Sequence, residues 1–133
     1  MEIKEILLVD GKTPIIASIN FILQSNGYLV VVAPDAETAS AAMDDYCVDL
    51  MLVYLAGHEK EKLTLLRQAK WKFPRTKIMV AGNTRRQPLS IEALRMQVDD
   101  CLIAPFTATE LCRRVYRCMQ KMSISHKRGR SNS

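Results

Sequence analysis

Glycine and proline number only five each in this 133-residue chain, too few for a low-complexity linker. Long apolar runs are missing as well. None approaches the roughly 20 residues that span a bilayer, so no membrane helix is expected. The opening stretch, Met1-Glu2-Ile3-Lys4-Glu5, lacks a cationic start followed by a signal-type apolar core, and the expected location is cytoplasmic. Histidine is limited to His58 and His126, and the four cysteines, Cys47, Cys101, Cys112 and Cys118, include no CxxC pair. A zinc site wants closer, paired ligands, so the thiols read as buried or half-buried groups in a reducing compartment. Neither GxGxxG nor GxxxxGKS/T occurs, which removes the sequence basis for a dinucleotide site or a P-loop.

What is present is ordinary globular composition, 48% hydrophobic and 25% charged, suited to one domain around one core. The formal net charge of +5 is unevenly spread. Residues 1–59 carry two basic side chains against nine acids, and residues 60–110 carry ten against five. Residues 111–133 carry seven basic side chains and no acid. Such a run can meet nucleic acid or an anionic surface through phosphate contacts. The preferred reading is a solvated helix end followed by a disordered tail. The expected division is a domain over 1–122 and a disordered basic tail, or the start of a linker, over 123–133.

Apolar runs and amphipathic stretches alternate five times along the chain. Ile6-Leu7-Leu8-Val9 is a buried-strand run ending at Asp10-Gly11. Thr13-Pro14 reads as a helix start, with Thr as cap and Pro in the first turn. Ile15, Ile16, Ile19, Ile22 and Leu23 follow at helical spacing, and Asn26-Gly27 stops the helix. Tyr28–Val32 is a second strand, and Asp35 is placed to cap a helix that packs Ala36, Ala39, Ala42 and Met43. Asp49–Val53 is a third strand, followed by a helix near 60–72 carrying Leu63, Leu66, Ala69 and Lys70. Lys77–Ala81 is a fourth strand, after which a polar loop through Arg85-Arg86 leads to a helix with Ile91, Leu94 and Arg95. Cys101–Ile103 is a short fifth strand. Thr107 and Glu110 form a Thr-x-x-Glu capping box before the last helix, whose Leu111, Val115, Cys118, Met119 and Met122 line one face. Strands this continuously apolar belong to a parallel sheet covered on both faces, and right-handed crossovers make it doubly wound α/β.

Four segments in this order and spacing resemble a response-regulator receiver domain, the phospho-accepting module of bacterial two-component signalling. They are Ile6–Asp10, Asn26–Val30, Asp49–Val53, and Asp99–Phe106 followed by Glu110-Leu111. The resemblance covers residues 5–121 and implies a flavodoxin-like (βα)5 fold with strand order 2-1-3-4-5. It also implies a cis peptide before Pro105. Receiver domains place their chemistry at the carboxyl ends of the strands. Two acids after the first strand help hold Mg²⁺, an Asp at the end of the third accepts the phosphoryl group, and a Thr or Ser and a Lys bind its oxygens. An aromatic on the fifth strand reports the modification.

Carried over residue by residue, most of these roles are absent. Asp10 matches the first acid, but Gly11 stands at the second and Tyr54 at the phosphoacceptor. Ala81 stands at the Thr/Ser position, Ala104 at the Lys position and Cys101 at the reporting aromatic. A pocket without those carboxylates does not favour Mg²⁺, and a neutral phenol is a poor nucleophile at pH 7. No cofactor and no catalysis are therefore expected. Asp10 is left either hydrogen-bonding nearby backbone or holding a cation. Tyr54 is left either plugging the vacated pocket or facing a modifying or partner protein.

The resemblance then implies a degenerate, or pseudo-, receiver acting by protein–protein contact without phosphorylation. Its partner would be a kinase, an output domain or a second copy, with no membrane involved. Arg95, Arg113 and Arg117 are the candidate contacts, suited to an acidic partner face. The alternative is a nucleic-acid-associated regulator using the basic end. Lys127-Arg128-Gly129-Arg130 matches no DNA-reading motif.

Overall fold

The computed structural model describes residues 2–10, 12–83 and 98–120. Among them lie strands β1 (Glu5–Val9), β2 (Leu29–Ala33), β3 (Leu50–Tyr54), β4 (Lys77–Asn83) and β5 (Asp100–Ala104). Helices α1 (Pro14–Ser25), α2 (Ala36–Asp45) and α3 (Glu59–Lys72) connect the first four strands, and α4 (Ala108–Gln120) follows β5. Gly11, the Arg85-Arg86 loop, the helix expected around Arg95, and residues 123–133 lie outside the described residues. The sheet is parallel throughout, in the expected order β2-β1-β3-β4-β5.

Strand side chains alternate between faces, and the core divides accordingly. Leu7, Val9, Met51, Val53, Ile78 and Val80 pack against Ala39 and Met43 of α2 and Leu63, Leu66 and Ala69 of α3. Ile6, Leu8, Leu50, Leu52, Tyr54, Met79 and Ala81 pack against α1 and α4 on the other side. The two edge strands are less covered, and Leu29 and Val32 of β2 and Ile103 of β5 are exposed. Their apolar sequences show strand propensity but do not distinguish an edge from a centre.

The amino end of the sheet is closed by two aspartates in equivalent places. Asp49, just before β3, accepts the Glu5 N–H at 2.7 Å, and its own N–H donates to the Glu5 carbonyl. Asp99, just before β5, does the same for Ile78, whose N–H reaches Asp99 Oδ2 at 2.8 Å. Asp99→Ala is expected to destabilise the domain by roughly 1.5–3 kcal/mol, the range for a hydrogen bond to a charged group, as read by urea unfolding.

Helix ends follow the local signals with one exception. Asp35 Oδ1 accepts the Thr38 N–H at 2.7 Å, and Gly27 ends α1 at φ +90°, a conformation glycine adopts without a Cβ clash. Thr107 Oγ1 accepts the Glu110 N–H at 3.0 Å, while Glu110 Oε2 lies 3.8 Å from Arg114 Nη2. Thr13 is the exception: it occupies the N-cap of α1, but its side chain makes no cap bond and turns toward Asp10.

Candidate functional site

The carboxyl ends of β1 and β3 meet at a corner built from Asp10, Tyr54 and Lys62. Asp10 follows β1 directly. It is only 4% exposed and sits at φ +136°, in a region that non-glycine residues rarely occupy. Local contacts hold it there. Its N–H donates to the Ala33 carbonyl at 3.0 Å, and Thr13 Oγ1 donates to Oδ2 at 2.6 Å. A longer contact, 3.4 Å, runs from the Lys12 N–H to Oδ1. Asp10 thus accepts from its own turn, and Thr13 spends its hydroxyl here instead of on the helix.

Tyr54 is the last residue of β3 and continues the parity of Leu50 and Leu52, which directs its ring to the α1/α4 side. Its register partner on β4 is Ala81. The methyl of Ala81 leaves the space a larger side chain would fill, and Tyr54 is 6% exposed. Burial, and secondarily the Asp10 charge, push the phenol above the usual tyrosine range, so it stays neutral and non-nucleophilic at neutral pH.

Lys62 has no counterpart in the sequence-based site. It lies in the first half of α3 and is 2% exposed, among the largest fully buried side chains of the described residues. Its Nζ donates to the Tyr54 carbonyl at 2.7 Å and the Ala56 carbonyl at 3.2 Å. Asp10 Oδ1 lies 3.9 Å away, an ion-pair distance. Burial pulls the ammonium below the usual lysine range, and Asp10 opposes that shift. Ala104 stands where the resemblance calls for a lysine, and Lys62 brings an ammonium to the corner from α3 instead. Leu63, Leu66 and Ala69 are buried as expected, but Lys62 and Leu65 complete the buried set and Lys70 is only half-buried.

These residues do not fit a divalent ion. Mg²⁺ wants a shell of oxygens and commonly one or two carboxylates. The carboxylate at the centre of the corner, Asp10, already faces an ammonium. Among those residues no group of three or more His, Cys, Asp or Glu side chains is arranged to hold a metal.

On the opposite side of the sheet end, the Ala104–Pro105 peptide is cis, as the resemblance implied. Cys101 is half-buried. Burial and Asp100 raise its thiol above the ordinary range against the opposing pull of Arg114. Arg114 Nη1 donates to Asp100 Oδ1 at 2.8 Å and to the Cys101 carbonyl at 3.0 Å. Arg113, Tyr116 and Arg117, spaced three and four residues apart, share an exposed stripe of α4. Of the three arginines proposed as contacts, Arg113 and Arg117 therefore lie together, and Arg95 is outside the described residues.

No protein-family model matches the chain. Among curated proteins it is 30% identical over 127 residues to the alkaline phosphatase synthesis transcriptional regulatory protein PhoP of Bacillus subtilis, covering 92% of this chain and 51% of that protein. It is 29% identical over 119 residues to the transcriptional regulatory protein CpxR of Klebsiella pneumoniae, covering 88% of this chain and 50% of that one. The chain thus spans about half the length of these relatives. Solved structures with the same fold include FixJ-N, at TM-score 0.79 and 22% identity, covering 92% of this chain and 98% of that one. A receiver domain from Clostridium thermocellum superposes at TM-score 0.77 and 19% identity, covering 88% and 94%. The chain has the fold of that receiver domain and is similar in sequence to transcriptional regulatory proteins over about half of their length.

The receiver-like fold places Asp10, Tyr54 and Ala81 around one corner, as the sequence reading required. Lys62 was the omission. A signal for it exists in the spacing, since Lys62 stands three and four residues before the buried Leu65 and Leu66. That stripe marks position 62 as core-facing, but lysine is almost never fully buried unless paired. Its partners are two backbone carbonyls and a carboxylate from a distant loop, none of which side-chain periodicity reveals.

Proposed function

We propose that this receiver-like domain is a pseudo-receiver: a signalling module that acts by protein–protein contact and needs no aspartyl phosphorylation. The observation that carries the reading is Tyr54, buried at the end of β3 against Ala81, where the receiver resemblance calls for the phosphoacceptor. A phenol held above its usual range does not attack a phosphoryl donor at neutral pH. The surrounding groups do not replace the missing chemistry. Asp10 is engaged by Thr13, and the nearby cation is an ammonium fixed to backbone carbonyls. The domain is accordingly neither an enzyme nor a phosphate carrier.

What it presents instead is a surface. Arg113, Arg117 and Tyr116, which is 62% exposed, are all solvent-facing on α4. An exposed aromatic together with two guanidinium groups suits an acidic protein face. The partner is then a cytoplasmic signalling protein, an output domain or a second copy of the chain.

An amide NMR titration with Mg²⁺ and then beryllofluoride, which mimics an acyl phosphate, tests the reading. The expected result is no saturable shift at Asp10, Tyr54 or Ala81, with no mass gain after incubation with a small phosphodonor. Saturable shifts, or one added phosphoryl group, would overturn it.

A further inference from the structure

The Lys62 ammonium is surrounded by oxygen. Two carbonyls of the β3–α3 connection, from Tyr54 and Ala56, accept its hydrogen bonds at 2.7 and 3.2 Å, and the Asp10 carboxylate lies 3.9 Å away. An ammonium has three N–H donors and no acceptor. Two are used on carbonyls, and the carboxylate supplies the opposing charge. Carbonyls aimed at one point together with a carboxylate form a cation cradle, and burying a charge this deeply is tolerated only when it is so compensated. The cradle joins three segments of the fold: the loop after β1 through Asp10, the end of β3 through the carbonyls, and α3 through the lysine itself.

A cleft of about 350 Å³ opens beside this cradle, lined by Asp10, Lys12, Asp35, His58, Glu61 and Lys62 among others. The cradle therefore lies within reach of a small solute once the lysine side chain is shortened. Volume alone does not explain a lysine here. Leu63, Leu65 and Leu66 fill the neighbouring core positions of the same helix without any ammonium to desolvate.

We propose that the corner is a binding site for a primary ammonium, occupied by the protein's own Lys62, which serves as a tethered cation where receivers hold a free one. This inference rests on the phosphorylation-independent reading of the same corner. It adds a specific role for Lys62: it is a positioning residue that pins the loop after β1, the β3–α3 connection and α3 in one arrangement.

Chemical rescue tests the assignment. Lys62→Ala removes a propylammonium equivalent, so the variant is expected to melt lower than wild type, on the order of 5 °C or more. Added propylammonium chloride should restore part of that loss saturably at millimolar concentration and leave wild type unchanged. Equal rescue by propanol would show that the side chain only fills space, and would overturn the proposal. Absence of rescue in a folded Lys62→Ala protein would overturn it as well.

Should Lys62→Ala fail to fold, Lys62→Met keeps the stem and removes only the charge. In the wild-type background Asp10→Asn should lower the melting temperature, and in the Lys62→Met background it should raise it, because the carboxylate has lost its cation. The same downward shift in both backgrounds would overturn the proposal. Neither experiment depends on phosphorylation. A wild-type protein that accepts a phosphoryl group while its Lys62→Ala variant is rescued overturns the function and leaves the tether. An inert wild type whose variant is not rescued does the reverse.

Discussion

Tyr54→Ala is expected to destabilise the domain by about 3–5 kcal/mol, the range for truncating a buried aromatic. The ring sits in the α1/α4 core at the end of a central strand, and the side chain beside it in register is only a methyl. Ala81 cannot move into the vacated volume, so a cavity persists and its full cost appears. Tyr54→Phe keeps the ring and its volume and should fall within about 1.5 kcal/mol of wild type. Ala81→Val in the Tyr54→Ala background should recover part of the loss, while in wild type it overpacks the corner and destabilises by about 1–3 kcal/mol. Far-UV circular dichroism in urea is the suitable measurement. The single tryptophan, Trp71, is 89% exposed and its emission would report little of the core. Additive effects of the two substitutions would show that Tyr54 and Ala81 do not share one volume.

Lys62→Met is expected to cost about 3 kcal/mol at neutral pH, the lower end for breaking a buried ion pair from one side. Methionine fills the stem, so the loss is electrostatic: Asp10 stays buried with the Thr13 hydroxyl as its strongest contact. The pH dependence has a definite sign. Burial holds Lys62 below the usual lysine range in the folded state. Between that lowered value and the free-lysine value of about 10.4 the unfolded chain binds more protons than the folded one. Wild-type stability therefore rises with pH across that window relative to Lys62→Met, and the difference is flat below it. The raised Tyr54 phenol acts in the opposite direction at alkaline pH, where the unfolded chain loses its proton first. It is present in both proteins, so only a change in its environment would enter the difference. Urea midpoints collected from neutral pH upward give the comparison, and a constant difference would show that the Lys62 proton affinity does not change on folding.

The fold was largely legible because its signals are local or periodic. Continuous apolar runs in β1, β3 and β4 mark strands covered on both faces, and Asn26-Gly27, Asp35 and Thr107 mark helix ends through hydrogen bonds within a few residues. The site was legible by subtraction. The resemblance located Tyr54 and Ala81, and the Tyr54 ring suggested a plug. Thr13 was misread and Lys62 overlooked because each makes its decisive bond outside its own helix. Thr13 looks like a cap by type and position, yet a buried carboxylate three residues earlier competes for its hydroxyl. Lys62 reads as solvent-facing by type, yet its helix phase and two carbonyls eight and six residues before it bring the ammonium inside.

The Lys62 ammonium reaches its oxygens along a side chain anchored at Cα to a helix turn. A group on a short leash meets its site at an effective concentration of at least about 1 mM, and more when the leash is pre-oriented. A dissolved ion must outcompete a rival that never diffuses away. Dialysis does not deplete that rival, dilution does not weaken it, and chelators have nothing to remove. For a corner occupied in this way, metal supply ceases to be a variable. On the tether proposed above, the conformation of the β3–α3 connection is written into the polypeptide at synthesis, with no ion to be loaded before it is set.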